Sequence, residues 1–125
     1  IINITTQQRE TKMLNKDMTV DQIKAALREA EEQATTVGEA LLESKGDCWG
    51  ACGFAWVNIW GIKGNTKLGR NLKAAGVRQD YTRAFQIWSP GYHGQNIDNK
   101  EAAARAYADT LKKYGFDATV GSRLD

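Results

Sequence analysis

The segment from residue 19 to residue 45 is patterned as one long helix, and its length is the tightest constraint on how this chain folds. Thr19 followed by Gln22 is a capping box, in which each side chain answers the other's free backbone N–H. Ile23, Leu27, Ala30, Ala34, Val37 and Leu41 recur at spacings of 4, 3, 4, 3 and 4. That is a narrow, heptad-like seam rather than a broad apolar stripe. Gly38 and the β-branched trio Thr35, Thr36 and Val37 weaken the helix locally, and Gly46 ends it. These 27 residues reach roughly 40 Å, whereas a compact domain of 125 residues has a radius of gyration near ~14 Å. The helix therefore spans the whole domain, bends near Gly38, or protrudes. The seam predicts self-association through residues 19–45, giving a homo-oligomer.

The remaining chain is one domain's worth of alternating elements. Residues 53–60 read as a central strand, with Phe54, Trp56, Asn58 and Trp60 on one face and Ala55, Val57 and Ile59 on the other. Both faces are largely apolar, so both are expected to be covered. Residues 66–75 fit a short helix capped by Asn65 or Thr66 and closed by Gly76. Residues 77–81 and 84–89 form a hairpin, broken by Ser89-Pro90-Gly91. Residues 98–114 are a second helix, with Asp98 and Glu101 as its capping box and Ala103, Tyr107, Leu111 and Tyr114 as its buried stripe. Residues 116–120 alternate as a half-buried strand.

The expected fold class is therefore α+β: a long N-terminal helix followed by β-α-β-β-α-β. That order is the split βαβ, or ferredoxin-like, arrangement with a four-stranded antiparallel sheet and two helices on one face. The first helix is left to cover the other face or to join a partner. Residues 1–18 are polar and aperiodic apart from Ile1, Ile2 and Ile4, which predicts a mobile arm ahead of a single domain at 19–125.

Composition is ordinary, with 42% hydrophobic and 26% charged residues, which argues against disorder. The apolar runs are far shorter than the ~20 residues that span a bilayer, so no membrane partner is expected. The opening residues carry no basic region followed by an apolar stretch, so the expected compartment is cytoplasm. Net charge is only +2, but it is unevenly distributed. Residues 21–47 hold three basic and seven acidic groups; residues 48–89 hold six basic groups and one acidic.

The basic third supplies the phosphate or anion candidates: Lys63, Asn65, Lys67, Arg70, Lys73, Arg78 and Arg83. Gly64-Asn-Thr-Lys-Leu-Gly-Arg70 puts Gly and Lys at a helix start, where free N–H groups favour anions, although it lacks the Gly-Lys-Ser/Thr of a phosphate-binding loop. Trp60 and Trp88, with Tyr92, His93 and Gln95 in the Gly-rich loop, are the aromatic and loop candidates for a binding surface. An RNA-recognition module places aromatics on the first and third strands of this topology, where Trp56 and either Trp88 or Phe85 would stand. The Lys/Arg-Gly-aromatic-Gly-aromatic run of that module is absent. A helix lying over the face would also block it.

Catalysis finds little support. Cys48-Trp-Gly-Ala-Cys52 has a metal-like spacing, but a zinc site needs four ligands and only His93 and carboxylates remain. The expected state is a reduced, partly buried pair. Cys52 with His93 is the only protease-like pairing available, and its surroundings lack the order that a cysteine protease requires. The expectation is no enzyme activity, no metal and no cofactor.

Several strings taken together carry a resemblance: Ala51-Cys-Gly-Phe-Ala-Trp-Val57, Gly64-Asn-Thr-Lys-Leu-Gly-Arg70, Ile87-Trp-Ser-Pro-Gly91, Gln95-Asn-Ile-Asp98 with Lys100-Glu-Ala-Ala-Ala104, and Gly121-Ser-Arg-Leu-Asp125. Over roughly residues 19–125 the chain resembles a group of small proteins encoded by bacteriophages and related mobile elements, a group with no established activity. The resemblance implies a viral accessory protein that binds a host or viral protein partner in the host cytoplasm. Its alternatives are nucleic-acid or nucleotide binding through residues 63–83 and a minor structural role in the virion. It implies no catalytic residues.

Overall fold

The computed structural model describes residues 13–125. In chain order the elements are α1 (Val20–Lys45), β1 (Gly53–Trp60), α2 (Lys67–Ala74), β2 (Arg78–Gln79), β3 (Phe85–Trp88), α3 (Ile97–Lys112) and β4 (Asp117–Leu124). The strands form one four-stranded sheet in the order β2-β3-β1-β4, and every neighbouring pair is antiparallel. The arm expected at residues 1–18 lies mostly outside the described residues. At its end Met18 is buried, and its carbonyl accepts from Asn71 Nδ2 at 2.8 Å.

The Thr19–Gln22 capping box forms, with Gln22 N donating to Thr19 Oγ1 at 3.1 Å and Thr19 N to Gln22 Oε1 at 2.9 Å. The helix then runs unbroken through Gly38. Its buried line is Ile23, Ala26, Ala30, Ala34 and Gly38, whereas Leu27, Val37 and Leu41 of the expected seam are only half-buried. A ridge of small residues repeating every fourth position brings two helix backbones close together. Here it meets Ala104, Ala108 and their neighbours on α3, the most extensive contact between elements. Ile23, Ala30 and Ala34 of the seam are thus buried within one chain.

Gly38 weakens the helix in isolation and yet is required by packing. A Cβ there would lie 3.0 Å from both the Gly91 carbonyl and Tyr92 Cβ. The reverse contact is tighter, since a Cβ on Gly91 would stand 2.4 Å from Ala34 Cβ, and Gly91 also has φ +72°. The Ser-Pro-Gly break is therefore where the loop after β3 presses against α1. Its position is fixed by a hydrogen bond from Gly91 N to Glu31 Oε2 at 3.1 Å.

The first helix neither covers the far face of the sheet nor leaves the domain: it lies on α3 and α2, and its backbone approaches no strand. Two further expectations are corrected. α3 is capped by Asn96, whose side chain accepts from Asn99 N, while Asp98 falls in the first turn, where it suits the helix dipole. β4 continues past residue 120 to Leu124 because the whole of β1 is available as its partner. Among the described residues no helix is long and apolar enough to cross a membrane.

Candidate functional site

Alternation along β1 divides the sheet into two unlike faces. Ala55, Val57 and Ile59 point to the helices and are fully buried, together with Phe85 of β3 and Ala118 of β4. The opposite face carries Phe54, Trp56, Asn58 and Trp60; among the described residues no helix packs across it, and only Lys100 of α3 reaches its edge, at the Phe54 ring. The expectation that both faces would be covered is therefore corrected for the described residues: α1 packs on the helix layer and leaves the second face open. Trp88 is 49% exposed and Trp60 38%.

Register places this face's side chains in rows. Trp88, Trp56 and Gly121 are aligned across β3, β1 and β4. Arg78, Gln86, Asn58 and Thr119 are aligned across all four strands. Phe54 faces Arg123, and Trp60 faces Asp117. The Trp56 and Trp88 indoles stack with centroids 4.5 Å apart at 28°. Trp56 is pressed against β4, where a Cβ on Gly121 would lie 2.5 Å from its ring. Glycine in a strand marks such a close approach. Arg123 stands 5.5 Å and Lys100 5.0 Å from the Phe54 ring, both as cation–π pairs.

At the far end of β1 the open face runs into a groove of about 760 Å³. It gathers Trp60, Lys63, Asn65, Lys73 and Arg83, five of the residues singled out from the sequence, beside Gln79, Asp80 and Thr82. The one carboxylate among these, Asp80, is occupied by its own turn. Its Oδ1 accepts from Thr82 N at 3.0 Å, Thr82 Oγ1 at 2.6 Å and Ala84 N at 3.2 Å. That turn holds Arg83 at φ +72°, a left-handed conformation uncommon for a residue with a Cβ. Lys63, Lys73 and Arg83 thus give the groove a positive balance.

The other candidates lie elsewhere. Lys67 pairs with Asp17 at 3.6 Å, and both side chains are exposed. Arg70 donates to the Asn65 carbonyl at 2.6 Å and so braces the start of α2. Arg78 joins the four-strand row at the β2 edge. Tyr92, His93 and Gln95 sit at the start of β1, where Gly53 N donates to the Gln95 carbonyl at 3.1 Å. The 8 residues of β1 separate them from the groove by roughly 23 Å.

Tyr92 is buried, with its hydroxyl on the Asp47 carboxylate. Asp47 also accepts from Gln95 N at 2.8 Å and Asn96 N at 3.1 Å. The Tyr92 hydroxyl first, and then these backbone N–H groups, hold the Asp47 carboxyl below its ordinary pKa. Burial, and then the same carboxylate, push the Tyr92 phenol up. This cluster ties the loop 92–96 to the end of α1. His93 and Gln95 remain exposed on it.

Cys48 and Cys52 are both free and both exposed, which corrects the expectation of a partly buried pair. They flank a bend outside the packed core. No group of three or more His, Cys, Asp or Glu side chains among the described residues is placed to hold a metal ion.

Sequence reasoning did not single out Gln86, Thr119 or Arg123, and it placed Asn58 on a face it took to be covered. Gly121 was the available signal, a glycine directly after a strand pattern and therefore a place where something packs closely. No protein-family model, no curated protein and no solved structure matches this chain.

Proposed function

We propose that the chain is a non-enzymatic binding module for single-stranded nucleic acid, which lies across the open sheet face and along the groove. The observation that carries this reading is the row of aromatic side chains on β1 and β3, left uncovered by the described residues and continuous through Trp60 with Lys63, Lys73 and Arg83. Unpaired bases stack on aromatic rings, and a basic groove tracks the phosphates. Strand order and antiparallel pairing support the finer reading of the fold as a split βαβ, or ferredoxin-like, arrangement. In that arrangement the face opposite the helices is the natural platform for a single strand.

In this reading Trp88 offers its outer ring face to a base, backed by Trp56 and Gly121. Trp60 extends the platform along β1, and at the other end the Phe54 ring holds Arg123 beside it. Lys63, Lys73 and Arg83 meet phosphates, and Arg123 and Arg78 flank the track. Lys67 and Arg70 contribute little, because one is paired with Asp17 and neither lines the groove, whereas Lys73 lines it while donating weakly to the Gly64 carbonyl at 3.4 Å. An aromatic row also suits a protein partner, but a protein surface has less use for cations running on from one end of it.

The test is the affinity for a short single-stranded oligonucleotide as a function of salt. Affinity should fall steeply as salt rises. Lys63→Ala, Lys73→Ala and Arg83→Ala should each lower the slope by about one unit, whereas Lys67→Ala should not. A preparation that shows no salt-dependent binding, and that instead holds a protein partner through Trp88, contradicts the reading.

A further inference from the structure

We propose that the polar row across the middle of the open face reads base edges, selecting bases with two adjacent hydrogen-bond acceptors, cytosine or guanine, over adenine and thymine or uracil. The inference rests on the nucleic-acid reading above and adds a specificity to it. The row is Arg78, Gln86, Asn58 and Thr119, one residue from each strand. It runs between the Trp88–Trp56 row and Trp60, two residues from each along β1, or about 7 Å. A base stacked on either side brings its edge over these groups.

The hydrogen bonds within the row fix what it presents outward. Trp88 Nε1 donates to Gln86 Oε1 at 3.2 Å, and Gln86 Nε2 donates to Asn58 Oδ1 at 2.9 Å. An indole nitrogen is a donor and nothing else. It therefore requires the Gln86 oxygen on its side, which turns the Gln86 amide nitrogen toward Asn58. Asn58 must then answer with its oxygen, so its Nδ2 keeps both hydrogens for a ligand. Gln86 Nε2 keeps one hydrogen, and the Arg78 side chain makes no hydrogen bond or ion pair with another described residue. Thr119 Oγ1 accepts from Trp60 Nε1 at 2.8 Å and keeps its own hydrogen to donate. The row thus faces outward mainly as donors, with its orientation set at each end by an indole.

Bases answer such a row unequally. Guanine presents N7 and O6 side by side as acceptors, and cytosine presents N3 and O2. Adenine sets its N6 donor beside N7, and thymine and uracil place an N–H between their two carbonyls. Cytosine and guanine carry donors too, at N4 and N1, but they alone offer two adjacent acceptors to a pair of donors.

The experiment compares ten-nucleotide runs of dC, dA and dT, and a dT run carrying one central dG, at fixed pH and salt. Wild type should bind the dC run on the order of tenfold more tightly than the dA or dT run, the discrimination of one good two-bond contact. The single dG should tighten binding to the dT run. Trp88→Phe keeps a stacking ring but removes the indole donor that orients Gln86. It should bring the dC to dA ratio close to one while leaving the salt slope unchanged, as should Asn58→Leu. Equal affinity of wild type for all runs, with the salt dependence intact, overturns the base-reading inference and leaves the binding face standing. Tighter binding of dA overturns it as well. Absence of salt-dependent binding to any run overturns both.

Discussion

The two faces of this sheet are built from the same strands and contrast sharply. On the helix side Ala55, Val57, Ile59, Phe85 and Ala118 are sealed from water. On the other side Phe54, Trp56, Asn58, Trp60, Gln86 and Trp88 are partly open to it. Both faces carry large apolar side chains, so hydrophobicity alone does not say which one is the core. What separates them is the company each face keeps. At its sealed centre the buried face holds only aliphatic side chains and the Phe85 ring. The open face interleaves its rings with amides, a hydroxyl and arginines, and such groups are costly to bury without partners.

The largest expected effect is on the buried face. Ile59→Ala should cost about 2–5 kcal/mol of stability, measured by denaturant unfolding, because it removes a fully enclosed side chain. Nucleic-acid affinity per folded molecule should not change.

Trp88→Ala reverses the pattern. Its ring is half exposed, so stability should fall only modestly. Affinity for a single strand should weaken by ~1–3 kcal/mol if the ring stacks on a base, read by titration at constant salt. A Trp88→Ala protein that unfolds like Ile59→Ala would make the open face part of the core and break the contrast.

A smaller effect distinguishes strain from function in the groove. Arg83 is held in a left-handed conformation that disfavours side chains by on the order of 1 kcal/mol. Arg83→Gly should therefore leave thermal stability unchanged or slightly raised while it lowers the salt slope of binding.

The smallest effect is at the opposite end of β1 and is confined to acid. The Asp47 carboxyl is held below its ordinary value by Tyr92 and by the N–H groups of Asn96 and Gln95. A carboxylate whose folded pKa is depressed stabilises the fold above its unfolded pKa near ~4, and that stabilisation is lost as pH falls toward the folded value. Melting temperatures of wild type should thus decline more steeply below that pH than those of Asp47→Asn. Equal acid limbs would remove Asp47 as the tie between α1 and the loop 92–96.

Much of this architecture was legible in the residues. The Thr19–Gln22 box, the bounds of β1 and the left-handed Gly76 are local signals, written in capping chemistry, alternation and turn geometry. The failures were non-local. Leu27, Val37 and Leu41 drew attention to a seam of large side chains, whereas packing with α3 favoured the small ones, Ala26, Ala30, Ala34 and Gly38. Periodicity alone does not report how closely a neighbouring backbone approaches. The open face was missed for the same reason: alternation divided β1 correctly, but nothing local says which layer the first helix joins. Among the candidates, charge clustering in residues 48–89 found Lys63, Lys73 and Arg83. Only the folded chain brings them to the end of a row with Trp60, and only strand register brings Asn58, Gln86 and Thr119 into line.

The four tryptophans provide the most direct test, because their indole N–H groups give separate signals in a nitrogen–proton correlation spectrum. Trp88, Trp60 and Trp56 lie on the open face, with Trp56 stacked between Trp88 and Gly121, and Trp49 lies in the bend before β1 with its Nε1 buried. On titration with a single-stranded oligonucleotide, the account predicts that the Trp88 and Trp60 signals move first and furthest, that Trp56 follows, and that Trp49 stays in place. If the oligonucleotide binds and moves Trp49 alone, or binds and moves none of the four, the open face is not the binding surface.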